Sequence, residues 1–205
     1  MGTTPQETET TTGAGTSNGA EHRIGTDIAQ QVVDFIRTEY CQPIWQQLGE
    51  VVHEPDEYSR LAIQLGVLGD DQVLGAVRLI PGQHNQITSR LAIPMQPGWV
   101  ELSRLVVHRQ HRGNSAILFT LLMEAHRVAR ENGYTHFIAA INRNSEKIFR
   151  AFGFLYTILQ KNVEYFGWPT NVVTWEIAAA EARLRDNELF DPQSLSASLT
   201  TYQSR

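Results

Sequence analysis

The chain has 205 residues, 41% of them hydrophobic and 19% charged, and a formal net charge of −5. This is the composition of a soluble globular protein, long enough for one domain with a sizeable core and too short for two ordinary ones. No apolar run approaches the roughly 18 residues needed to cross a bilayer, and the single cysteine, Cys41, excludes an internal disulfide framework and a cysteine-built metal cage.

Residues 1 to about 22 are mostly Thr, Gly, Ser, Asn and Glu and cannot bury enough apolar surface to offset ordering, so they read as a disordered tail. Neither a basic nor an apolar leader segment is visible there, and the expected location is the cytoplasm. One domain is expected over 23–190, with a polar tail over 191–205. From Asp27 the spacing Ile28, Val32, Phe35, Ile36 gives one apolar helical face running to about Cys41, with Thr26 or Asp27 as the cap and Cys41 a buried thiol. A connection with a second short helix is expected before Pro55. Two Val/Leu/Ile-rich runs, about 61–68 and 72–80 around Gly69, Asp70 and Asp71, predict an antiparallel hairpin.

A polar stretch follows Pro81, and a strand begins at about Trp99. From Ser115 the apolar positions Ile117, Leu121, Ala125 and Val128 predict a helix closed by Asn132 and Gly133. "HFIAAI" reads as a buried strand and "NSEKIFRAF" as a short helix capped by Asn144 or Ser145. "FLYTILQ" and "NVVTWEIA" read as two closing strands, and 178–188 as a last helix. The order describes an α/β domain with a mixed sheet.

Charge is uneven along the chain. Between Arg104 and Arg150, seven arginines and Lys147 stand against Glu124, Glu131 and Glu146, inside an acidic protein. Such a segment is either a solvated helix face or an anion-binding surface, for a phosphate-bearing ligand or an acidic partner. Nucleic acid is a poor fit, because the basic residues are not interleaved with exposed aromatics in any recognisable module. His108 and His111, three apart in a loop without a carboxylate cluster, add to a basic rim rather than holding a metal.

The strand "WVELSRLVV" places Glu101, Ser103 and Arg104 among apolar neighbours. In a regular strand Glu101 and Ser103 share one face and Arg104 the other, so the acid and the arginine serve one site only if a β-bulge shifts the alternation between them. A bulge is expected near Ser103 to Leu105. The alternative is two separate surface contacts at a strand end. The turn "RQHRGN" then leads into a helix whose free N–H groups and positive dipole end attract anions, with Gly113 letting a ligand approach the backbone.

Strand, "HRQHRGN" turn, long helix, "HFIAAI" and "NRNSEKIFRAFGF" together resemble the core of the GNAT acyltransferase superfamily over roughly residues 25–177. The resemblance implies a mixed, mostly antiparallel central sheet with flanking helices, bulged and splayed at the family's fourth strand. It implies no tightly bound cofactor and no metal, and a 4′-phosphopantetheine thioester as donor, carried by coenzyme A or by an acyl carrier protein. Phe149 stands where many acetyltransferases have a tyrosine acid. "VLGAVRLIP" followed by "WVELSRLVV" resembles the acyl-homoserine lactone synthases and the related long-chain N-acyl amino acid synthases. This carries over Arg78, Glu101, Ser103 and Arg104 as active-site positions and also touches Arg37, Tyr40 and Trp45. Asp56 matches the first acid of the lactone synthases' pair and Ser59 replaces the second, which favours simple N-acylation over lactone formation.

The expected chemistry is aminolysis of a thioester. Glu101 in a partly apolar setting accepts the amine's proton, and backbone N–H groups at the bulge stabilise the oxyanion. Arg104 holds the acceptor's carboxylate or locks Glu101, with Arg78 competing for either role. Arg78, Trp99 and Leu105 are expected to bind substrate. Val106, Val107, Arg109, Arg112, Gly113, Asn114, Ser115 and Asn144 are expected to bind the phosphopantetheine arm. Trp99, Trp168 and Trp175 either line an acyl tunnel or belong to the core. Arg143, Lys147 and Arg150 form a basic patch suited to the acidic helices of an acyl carrier protein. Two other readings stay open: a coenzyme A-dependent N-acetyltransferase acting on a small molecule or protein amine, and a non-catalytic binding module.

Overall fold

The computed structural model describes residues 30–43, 57–69, 72–94, 96–186 and 200–203. Seven strands form one sheet: β1 (Ile63–Gly69), β2 (Gln72–Pro81), β3 (Trp99–Val107), β4 (His136–Ile141), β5 (Thr157–Tyr165), β6 (Trp168–Glu176) and β7 (Thr200–Gln203). Their order is β5-β6-β4-β3-β2-β1-β7. Only β3 and β4 run parallel; the other neighbours are antiparallel. The helices are α1 over 30–43, α2 (Gln86–Leu91), α3 (Ser115–Glu131), α4 (Arg143–Ala151) and α5 (Ile177–Arg185).

Each face of the sheet is covered by helix. Val32, Ile36 and Cys41 of α1 bury themselves against Val73, Ala76 and Val106. On the other face, α3 sends Ile117, Leu121, Leu122, Ala125 and Val128 into the main core with Leu79, Leu102, Phe137 and Trp175. Two glycines set how closely these helices approach. A Cβ at Gly66 would stand 2.8 Å from a Val32 methyl, and one at Gly75 would stand 2.8 Å from Leu121 Cδ1. The missing side chains, one on each face of the β1–β2 ladder, let both helices sit directly on the backbone.

The hairpin β1–β2, strand β3, helix α3 and strand β4 lie where the sequence places them, and the fold is the expected mixed, mostly antiparallel α/β sheet. Several details differ. The stretch after Pro81 is not merely polar coil: a 3₁₀ turn, Gly82–His84, leads into α2, whose cap Asn85 accepts from the Thr88 N–H at 3.1 Å. Helix α4 is capped by Asn142, not Asn144 or Ser145, with the Asn142 carboxamide accepting from both of their N–H groups at 3.0 Å. The closing strands begin and end some residues away from their expected bounds and meet in a two-residue turn at Phe166 and Gly167, both at positive φ. Within the segment read as a polar tail, β7 pairs with β1 and extends the sheet. The bulged strand, β3, is third rather than fourth among the described strands. The 1–22 tail, the Thr26 or Asp27 cap, Trp45, the short helix before Pro55, Asp56 and the turn residues Asp70 and Asp71 lie outside the described residues.

Several basic residues of 104–150 are paired, mostly with the acids of the same segment. Arg127 bridges Glu124 and Glu131, Arg130 reaches Glu181, and Arg150 pairs with Glu146. Glu181 also holds Arg185. Among the described residues no helix is long and apolar enough to cross a membrane, and no group of three His, Cys, Asp or Glu is placed to hold a metal.

Candidate active site

β3 breaks its own alternation. It pairs Ser103 with Arg78 and then Val106 with Ala76, so two of its residues, Arg104 and Leu105, oppose the single Val77 of β2. Arg104 takes φ +54°, in the left-handed region that non-glycine residues rarely enter. This is a β-bulge, and it moves Val106 onto the face that carries Glu101, Ser103 and Arg78. The parallel pairing with β4 stops at the same level. Trp99, Val100 and Glu101 pair with His136, Phe137 and Ile138, and beyond them the two strands part.

A cavity of about 970 Å³ fills that opening. It runs from Arg78, Gln86, Ile87 and Glu101, past Ser103 to Val107, to the start of α3 at Arg112 to Ser115. Ala139 to Asn142 and α4 form another wall, and Tyr165, Phe166 and Trp168 close one end.

Glu101 lies at the end of the cavity shared with Arg78, Gln86 and Ile87, with 1% of its surface exposed. One carboxylate oxygen accepts from the Ile87 N–H at 3.0 Å. Burial dominates and pushes its pKa above the ordinary carboxylate value, while the N–H groups of Ile87 and Gln86 and the charges of Arg78 and Arg104 pull it partly back. The first turn of α2 thus serves the chemistry as well as the fold, because it delivers the N–H that holds the acid.

Arg78 is fully buried. Its Nε donates to Ser103 Oγ at 3.1 Å, Nη1 to Ser59 Oγ at 3.0 Å and Nη2 to Gln86 Oε1 at 3.5 Å. Ser59 thus reaches the site through Arg78. The Arg104 guanidinium lies 5.0 Å over the Tyr40 ring and 5.8 Å from the Phe166 ring, and Arg90 covers Phe166 at 4.6 Å. Such stacking orients a guanidinium and is compatible with a planar anion at its edge. Tyr165 lies beside this group, and burial, reinforced by Glu101 and Tyr40, pushes its phenol upward, so the hydroxyl stays protonated.

At the other end a 3₁₀ turn, Arg109–His111, leads through Arg112 and Gly113 into α3. Gly113 has φ +99°, and the space where a Cβ would project is open. Asn114 caps α3, its carboxamide oxygen accepting from the Ala116 N–H at 3.0 Å. α1 enters here as well. Its π-helical turn, Arg37–Cys41, presents Glu39 and Tyr40 to the cavity. A Glu39 oxygen accepts from the Arg109 N–H at 3.1 Å and lies 3.9 Å from Arg112 Nη2, and the other lies 4.0 Å from His108 Nε2.

Of the residues singled out in the sequence, Arg78, Glu101, Ser103, Arg104, Leu105, Val106, Val107, Arg112, Gly113, Asn114, Ser115 and Asn144 all line this one cavity. Trp99 and Arg109 do not. Trp99 packs against the cluster of Ile87, Ile93, Ile138 and Val172, and the Arg109 backbone is engaged by Glu39. Arg37 pairs on the surface with Asp34. Trp175 is core, and Trp168 is a wall of the cavity. Phe149, at the usual tyrosine position, is buried and lines the cavity without a hydroxyl. Arg143, Lys147 and Arg150 lie on the exposed side of α4, whose Asn144, Ser145 and Ile148 face the cavity. Glu39, Gln86, Ile87, Tyr165 and Phe166 are among the wall residues the sequence did not reveal.

The family model described as "Acetyltransferase (GNAT) family" matches residues 30–154. The chain belongs to the GNAT family. It is an N-acyltransferase of that fold. Among solved structures, this GNAT chain is similar to "a COA-dependent acyl-homoserine lactone synthase, BjaI, with SAM and isopentyl-CoA", at 20% identity and TM-score 0.61, covering 83% of this chain and 84% of that one. The CoA-dependent acyl-homoserine lactone synthase MesI is 15% identical with TM-score 0.65, covering 84% and 93% of the two chains. The AHL synthase LasI is 15% identical with TM-score 0.61, covering 83% and 91%. These likenesses establish a shared fold. No curated protein matches the chain in sequence.

Proposed function

We propose that this GNAT enzyme transfers a long-chain acyl group from a phosphopantetheine thioester, carried by an acyl carrier protein, to the amine of an amino acid or similar small molecule. The observation that carries the reading is the joint placement of Glu101 and Arg104 at one end of a cavity whose other end is the α3 turn. The acid and the guanidinium are suited to an ammonium and a carboxylate on one small acceptor. The neutral Ser59 hydroxyl, bound by Arg78, supports simple N-acylation.

The steps follow from these positions. Arg104 holds the acceptor carboxylate, and Glu101 takes a proton from its ammonium. The free amine attacks the thioester carbon, with backbone N–H groups of the β3 bulge stabilising the oxyanion. The tetrahedral intermediate gives its second amine proton to water and collapses, the C–S bond breaks and the amide forms. Phe149 has no proton to give, so the sulfur departs as a thiolate, which is a tolerable leaving group, and is protonated from solvent. The donor's phosphate rests at Arg112 to Ser115, where helix N–H groups and the dipole favour an anion. The exposed basic side of α4, beside the cavity, is suited to the acidic surface of a carrier protein. The volume of the cavity and its apolar wall of Leu105, Leu118, Ile148 and Phe152 are suited to a fatty chain.

Mass spectrometry of lipid extracts from a bacterial host tests this. New fatty acyl amides should appear with the unmodified protein and be missing with Glu101→Gln. Extracts identical to those of the empty host would overturn the long-chain reading.

A further inference from the structure

Glu39 is out of place in an anion site. A phosphate-receiving turn should offer N–H groups and cations, and this one already contains a carboxylate brought from a helix seventy residues earlier in the chain. The Glu39 side chain is only 11% exposed and stands on the Arg109 N–H, with Arg112 and His108 beside it. It is also part of the cavity wall, in the π-helical turn that presents Tyr40 to Arg104. Extra residues of this kind in a helix are frequently functional. Glu39 therefore sets a negative charge on the cavity wall beside Arg112 and offsets part of the positive charge that a bound anion would otherwise use.

The two forms of a phosphopantetheine donor respond unequally to such a group. Coenzyme A brings a diphosphate and a 3′-phosphate to the turn and its surroundings. The same arm on a carrier protein brings a single phosphodiester. Repulsion from a half-enclosed carboxylate adds over every phosphate charge nearby, so it falls most heavily on coenzyme A. We propose that Glu39 selects the donor: its carboxylate, seated on the Arg109 amide, discriminates against coenzyme A and leaves the turn open to a singly charged phosphopantetheine arm. The inference rests on the reading of this cavity as a donor site and adds a residue that sets which donor enters.

The test is direct binding, which needs no acceptor and no turnover. Calorimetry with coenzyme A and with the methyl phosphodiester of 4′-phosphopantetheine, which is singly charged like the carrier-borne arm, is run on the full chain and on Glu39→Gln, in which the carboxamide oxygen can still accept from Arg109. The ratio of the two dissociation constants should shift towards coenzyme A by on the order of tenfold when the charge is removed. A ratio unchanged within twofold, or coenzyme A binding that weakens, overturns the inference while the donor site stands. Absence of binding by both thiols to the unmodified protein overturns the inference and the donor site together. If Glu39→Gln does not fold, Glu39→Ala is read in the same way.

Discussion

Glu101 and Arg104 are three residues apart in one strand and yet meet in the same cavity. A regular strand forbids this. The bulge permits it by inserting one residue between the Ser103 and Val106 pairings, and Arg104 adopts φ +54° to do so. Backbone strain at this position is therefore tied to the site's geometry. Arg104→Gly removes both the strain, worth about 1–2 kcal/mol, and a cation–π contact of about 0.5–1 kcal/mol, so its urea midpoint should correspond to within about 1 kcal/mol of the parent. Acyl transfer to a carboxylate-bearing amine should nevertheless fall roughly 10- to 100-fold in kcat/KM. Retained activity in the glycine variant would remove Arg104 from acceptor binding.

Glu101 should govern the acid side of the pH–rate profile. It works as a base only when ionised, and burial raises its pKa above 4.5, so kcat/KM should fall as pH drops through a value higher than that of a free glutamate. Glu101→Gln should lower kcat/KM by about 10²–10⁴ and abolish that limb while leaving the fold intact by circular dichroism. A limb that survives in Glu101→Gln would assign it to another group.

Arg78 holds the site together more than it binds substrate. With its nitrogens given to Ser103, Ser59 and Gln86, it fixes the serine hydroxyls and offsets the charge of Glu101. Removing one member of a buried charged set costs about 3–5 kcal/mol, so Arg78→Met should lower stability by that order in urea melts. In whatever fraction folds, the acid limb of the rate profile should move to higher pH, because Glu101 loses a positive neighbour. An unchanged limb would show that the two groups are not coupled.

His126 predicts acid sensitivity in a region remote from the chemistry. Its Nδ1–H donates to the Leu122 carbonyl, its Nε2 accepts from the Trp175 indole, and Phe137 and Phe154 enclose the ring. Burial lowers its pKa from 6.5 to about 4. Below pH 6.5 the unfolded chain takes up a proton that the folded one refuses, so stability should decline as pH falls from about 6.5 to about 4 and level off beneath that, with a total near 3 kcal/mol. His126→Phe should flatten this segment of a stability–pH curve from urea midpoints. A slope that persists in the variant would place its origin elsewhere.

The parts of the fold that repeat a local pattern were legible in the sequence. α3 shows its apolar face over seventeen residues, and the bulge follows from the parity of Glu101 and Arg104 once both are taken to serve one site. What escaped lacks a pattern of its own. α2 is six residues long with two apolar positions next to its ends, too short to display a helical period, yet it supplies the N–H on Glu101. β5 is an edge strand with two register shifts and exposed Lys161 and Asn162, so its second half looked like a loop and hid Tyr165 and Phe166. Glu39 reads as an ordinary charged residue on a helix. Only the packing of α1 across the sheet brings it to Arg109, and nothing in local spacing encodes a contact across that separation.

The short ladder between β3 and β4 makes the sheet mechanically two panels. Three strands, β5, β6 and β4, stand on one side and four, β3, β2, β1 and β7, on the other, joined at this seam by pairing over Trp99 to Glu101 only. The seam is the shortest ladder in the sheet. Above it the width of the opening is set by side chains and helices rather than by backbone hydrogen bonds, so an extended arm bonded to both rims would complete the missing ladder.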